Sequence, residues 1–85
     1  MQKISFTINH LTGRGWQDTT GTTSVDETIG LKAGRDEFAT ARGTVKNWAK
    51  ANLVLVNSTR ITIKRDGVIV SKMTLNQGKW ENEAL

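Results

Sequence analysis

The stretch "TRITIKRDGVIVSKMTL", residues 59–75, decides the fold. Ile61 and Ile63 alternate with Arg60, Thr62 and Lys64, the two-residue period of a half-buried strand. Asp66-Gly67 then marks a turn, because both residues tolerate positive φ. A three-residue loop Arg65-Asp66-Gly67 with Gly67 left-handed pairs Ile63 with Ile69 and Ile61 with Ser71, and Met73 and Leu75 continue that inner face. The outer face then carries Arg60, Thr62, Lys64, Val70, Lys72 and Thr74. A two-residue loop would mix apolar and basic residues on both faces, so it is set aside. The segment is predicted to be a hairpin with an oily side and a cationic side.

Upstream, "RDEFATARGTVKNWAKAN", residues 35–52, is the clearest helix. Phe38, Ala41, Val45, Trp48 and Ala49 fall on one stripe. Asp36 and Glu37 are placed in its first turn and Lys50 in its last, where each charge suits the helix dipole. Residues 3–11, "KISFTINHL", alternate cleanly, with Ile4, Phe6 and Ile8 inward and Lys3, Ser5, Thr7 and Asn9 outward. "TGRGWQDTTG", residues 12–21, reads as a long hairpin connection. Residues 22–32, "TTSVDETIGLK", are ambiguous, with strand favoured because Gly30 and Gly34 leave little helix to propagate. Their Thr content favours a strand, whereas Ser24 and Glu27 have capping-box spacing for a short helix. "LVLVN" leaves the helix as a buried connection or short strand, "NQG" is another turn, and "KWENEAL" is a short edge strand or tail.

The fold class expected is α+β: one domain over residues 1–85, an antiparallel sheet of four to five strands with one helix packed on one face, in β-β-α-β-β order. Its expected core is Ile4, Phe6, Ile8, Phe38, Val45, Trp48, Ile61, Ile63 and Ile69. A chain of 85 residues buries only roughly 60–65% of its unfolded surface, so that core is small.

The absence of Cys excludes disulfides and thiolate metal sites and fits a reducing cytoplasm. No apolar run approaches the ~20 residues that span a bilayer. The net charge is +4 and unevenly spread. Residues 38–79 hold eight Lys or Arg against one acid, Asp66, giving +7, and the remainder sums to −3. No nucleophile has an evident activating base, His10 is the only imidazole, and no spacing among Asp18, Asp26, Glu27, Asp36 and Glu37 argues for a paired-carboxylate site. "TGRGW" lacks phosphate-loop spacing. No catalytic residue, metal or cofactor is therefore expected.

Binding surfaces are better supplied. Arg42, Lys46 and Lys50 are four apart and line one flank of the helix. Arg60, Lys64 and Lys72 lie on the outer hairpin face, an electrostatic footprint suited to nucleic acid or an acidic protein. Arg14, between two glycines, is expected in solvent as a partner contact, and Trp16, two residues on, either joins it or turns inward to staple the hairpin to the helix. Trp80 is likewise open to either reading. The outer face has no aromatics, so a base-stacking platform is not expected there.

The order of elements also resembles a known group. A strand ending in Ala33-Gly34, the helix "RDEFATARGTVK", the hairpin "RITIKRDGVIV" and a final "NQGKW" look like the small phage-encoded anti-CRISPR proteins that block type I-F surveillance complexes. The resemblance covers roughly residues 22–80 as a pattern and transfers no individual residue. It implies a stoichiometric inhibitor, a monomer or small homo-oligomer, acting in the host bacterial cytoplasm on a host protein or ribonucleoprotein complex through a basic surface. A small basic protein binding duplex DNA or RNA through phosphates is the alternative, and a self-assembling structural phage component is a third class. None of these places the chain in a membrane.

Overall fold

A computed structural model describes all 85 residues. The elements run β1 (Gln2–Thr12), β2 (Gly15–Val25), α1 (Thr28–Lys32), α2 (Ala39–Asn52), β3 (Arg60–Arg65), β4 (Val68–Asn76) and β5 (Lys79–Asn82). The five strands form one antiparallel sheet in the order β2-β1-β3-β4-β5. α2 lies across one face, and the other face is covered by neither helix. The protein is thus α+β, with a fifth strand and a second, short helix.

The core sits between α2 and the central strands. Ile4, Phe6 and Ile8 of β1, Ile61 and Ile63 of β3, and Met73 of β4 meet Ala41, Val45 and Ala49 of α2. The alanines let the helix approach the sheet closely. Phe6 needs more room: its ring lies across β2 at Gly21, where an added Cβ would come within 2.6 Å of its Cζ. The ring then meets Trp48 at a centroid distance of 5.4 Å. Trp48 remains 37% exposed, so it flanks the core instead of filling it. Trp80 pairs with Leu75 and packs against the core as well.

The "TGRGWQDTTG" segment is not a long connection. β1 and β2 pair continuously from Gln2–Val25 to Thr12–Gly15, leaving Gly13 and Arg14 as the loop. Gly15 has φ +96°, and the Thr12 hydroxyl donates to its carbonyl at 2.9 Å. The Thr-rich run that resembles loop composition is a β-branched edge strand. Residues 22–32 divide, with strand to Val25 and helix from Thr28. Asp26, not Ser24, starts that helix by accepting from the Thr28 amide (3.0 Å) and hydroxyl (2.6 Å).

α2 begins later than the sequence reading places it. Asp36 accepts the Phe38 amide at 2.9 Å, and this local turn competes with helix at the same backbone. Asp36 and Glu37 therefore precede the helix, and Phe38 is a half-buried N-cap. Its ring is covered by Arg65, whose guanidinium sits 4.8 Å from the ring centroid.

The β3–β4 hairpin reverses another expectation. Its loop is the two residues Asp66 (φ 52°) and Gly67 (φ 79°), the signature of a turn that matches strand twist. The phase problem is solved by a bulge. Lys64 pairs with Ile69 and Ile63 with Ser71, so β4 spends Val70 as an extra residue. Past the bulge, Ile61 faces Met73 and the inner face is restored. Ile69 moves to the uncovered face, 38% exposed, while Val70 packs against the core.

Candidate functional site: the uncovered sheet face

Alternation along the paired strands fixes what the open face displays. One row, crossing the sheet from β2, reads Thr22, Ser5, Lys64, Ile69. The next reads Thr20, Thr7, Thr62, Lys72, and a third reads Asp18, Asn9, Arg60, Thr74, Glu81. Ser5, Thr7, Thr20, Thr22, Thr62 and Lys64 line a shallow depression of about 340 Å³. Lys3, two residues before Ser5, extends this end of the face.

Charge is graded along the strands. Lys3, Lys64 and Lys72 occupy one end, and none forms an ion pair. Asp18 and Glu81 lie at the other, and Glu83 lies between, across from Lys72. Asp18 accepts from the Asn9 amide (2.9 Å), while Glu83 accepts from the Thr74 hydroxyl and lies 3.9 Å from Arg60. Arg60 and Lys72 therefore share a partly neutralised corner with Glu83, whereas the row of Lys64 holds no acid. Beyond that row Trp16 stands opposite Leu11 on the same face, 46% exposed.

The predicted basic residues thus do not form one patch. Arg60, Lys64 and Lys72 share the open face, with Trp16 at its far end. Arg42, Lys46 and Lys50 belong to α2, on the opposite side of the sheet, and Arg42 is engaged with Asp36. That ion pair is the leading cause holding the Asp36 carboxyl below its ordinary value, with the Phe38 amide adding to it. Asp26 is likewise lowered, first by the Thr28 hydroxyl and then by its amide. Arg14 is exposed at the loop of the first hairpin, its amide donating to the Thr12 hydroxyl at 3.1 Å.

His10 is not a surface residue. It is 8% exposed, on the α2 side, with Nε2 2.7 Å from the Thr19 hydroxyl. It does not reach the open face. No group of three or more His, Cys, Asp or Glu is placed to hold a metal ion, and no helix is long and apolar enough to cross a membrane.

Sequence reasoning missed Lys3 and the hydroxyls of Thr20 and Thr22 as members of this face. The signal for Lys3 was present in the β1 alternation. Thr20 lies in the stretch that reads as a loop, residues 12–21, and Thr22 in the ambiguous stretch 22–32, to which the sequence assigns no pairing partner. Comparison with protein families, with curated proteins and with solved structures found no match. The chemistry of the face is accordingly that of its own side chains: hydroxyl and ammonium donors, laid out on rigid strands, with no carboxylate in the row of Lys64.

Proposed function

We propose that the protein is a non-enzymatic binding protein of the phage inhibitor type, which docks its uncovered sheet face on an anionic surface of a host ribonucleoprotein. The observation that carries this reading is the pairing of Lys64 and Lys72, neither held in an ion pair, with a Ser/Thr-lined depression on strands that neither helix covers. Hydroxyls and ammonium groups are common donors to phosphate oxygens. A rigid strand platform holds them in place at little ordering cost. The inhibitor reading draws further on the element order that resembles the type I-F anti-CRISPR proteins.

A second reading, direct binding of duplex nucleic acid, is favoured by the same donors, which need only a phosphate backbone. Affinity capture from a bacterial lysate, with and without nuclease, separates the two. A ribonucleoprotein retained in stoichiometric amount by the wild-type chain and lost with Lys64→Glu/Lys72→Glu is the result expected. Capture of bare nucleic acid, with binding that weakens steeply as salt rises, favours the second reading. Equal capture by the variant and the wild type removes the open face from both.

A further inference from the structure

The two edges of the sheet are guarded very differently. β5 is four residues long and carries Lys79 and Glu81, and the tail after it stays bonded to β4 through the Glu83 amide and the Lys72 carbonyl at 2.8 Å. Short, charged edge strands resist pairing with another chain. β2 is eleven residues long and its only charged residue is Asp18. It contains no Pro or Lys, and it ends the sheet. Alternate residues of an antiparallel edge aim their N–H and C=O groups away from the sheet. β2 therefore presents roughly 36 Å of unpaired backbone.

We propose that β2 pairs antiparallel with β2 of a second copy, about a two-fold axis normal to the sheet near Thr20. The charge pattern selects this occupant. Arg14 precedes the strand and Asp26 follows it, so the edge is cationic at one end and anionic at the other. Centring the pair on Thr20 sets each Arg14 against Asp26 of the second copy. Asp18 then faces Thr22 of that copy, and no like charges meet. Asp26 is held ionised and in place by Thr28, while Arg14 has no carboxylate of its own.

A second feature lies beside the edge. Phe6, Val45 and Trp48, with Thr22, Thr23 and Thr44, line a groove of about 290 Å³ between β2 and α2. Rotation about an axis normal to the sheet keeps both helices on one side, so the two grooves adjoin and the exposed flank of Trp48 gains cover. It also keeps both open faces on the other side, where they join into one ten-stranded surface with two sets of lysines. Because the contact is isologous, it closes at the dimer and does not propagate. This inference goes beyond the proposed function and does not depend on it.

The absence of Cys makes the test clean. Opposed Cα atoms in an antiparallel pair lie within disulfide range, roughly 4.5–5.5 Å. Thr20→Cys is expected to give a covalent dimer rapidly under mild oxidation, whereas Glu81→Cys on the other edge is not. Sedimentation of the wild-type chain is expected to show a monomer–dimer equilibrium in the micromolar range typical of a modest interface. Thr20→Lys sets two like charges across the axis and is expected to weaken association at least about fivefold, with circular dichroism reporting an intact fold. A chain that stays monomeric at every concentration reached overturns the proposal. So does a dimer that ignores Thr20→Lys and fails to cross-link through Thr20→Cys. Neither experiment requires the host partner, so its outcome is independent of the binding reading above.

Discussion

The two faces of the sheet are made from alternate positions of the same strands. On the helix side β1 shows Ile4, Phe6 and Ile8, and β3 shows Ile61 and Ile63, all nearly sealed from water. On the other side the same strands show Lys3, Ser5, Thr7, Thr62 and Lys64. The first set makes the fold, because apolar area removed from water is the main favourable term in folding. The second set contributes little to stability and is free to be chosen for something else. Thr is instructive here. It keeps the β-branched backbone preference that a strand wants while offering a hydroxyl outward. A face can thus be polar, well ordered and uncovered at once.

The sharpest way to break this contrast is to cut matched residues from each face. Ile63→Ala, at a fully buried site, is expected to lose about 2–5 kcal/mol in denaturant unfolding, which approaches the whole stability of a small domain. Ile69→Ala, on the open face, is expected to cost less than about 1 kcal/mol. Equal losses would mean that the open face is buried in solution. Gly21→Ala comes next. The new Cβ collides with the Phe6 ring, and overpacking of this kind costs roughly 1–3 kcal/mol. Phe6→Leu in the same chain should recover part of that loss, since it removes the colliding atoms. An additive double variant would place the strain elsewhere.

The Asp36–Arg42 pair is a smaller effect. Its carboxyl is lowered in the folded state, so the stability it adds is complete above the ordinary carboxylate range and disappears as pH falls through the folded value. Thermal melts of the wild type should therefore be level from neutral pH to about pH 5 and decline below about pH 4. Asp36→Asn should flatten part of that decline, by a modest amount because the Asp36 side chain is more than half exposed. An unchanged acid limb would remove the pair from the account of stability. Smallest of all is Lys64→Glu/Lys72→Glu, expected to shift stability by no more than about 0.5 kcal/mol while abolishing partner binding. A large loss of stability there would make the open face structural.

What the sequence disclosed follows the same division. Clean alternation made β1 and β3 legible, and the 3.6-residue stripe made the body of α2 legible, because each pattern reports burial on one side. Residues 12–21 hid their strand because Gly and Asp are turn formers, and only pairing with β1 makes them β. The β3–β4 register was misjudged for a different reason. A bulge at Val70 changes the phase of the alternation, and the Asp66-Gly67 turn preference outweighed an unbroken pattern. Phe38 and Trp48 sit at the rim of the core because α2 starts at Ala39 and its alanines, not its aromatics, face the sheet. The eight candidate residues were all found outside the core cluster. Their division between two sides of the sheet was legible as well, because a helix packed on one face leaves Arg60, Lys64 and Lys72 on the other.

The strand order has a consequence in time. β1 lies inside the sheet, with β2 on one side and β3 on the other, and Ser5 bonds across to Lys64. A ribosome releases the β1–β2 hairpin first and must add some forty residues before β3 can dock, a delay on the order of seconds. Throughout it, the strand that carries Ile4, Phe6 and Ile8 of the core has one flank empty. Closing so distant a pair is also the slow kind of folding step. The nascent chain thus passes through a stage in which its future interior strand is its most adhesive part, and the α2 segment, completed in the interval, is the element available to shelter it.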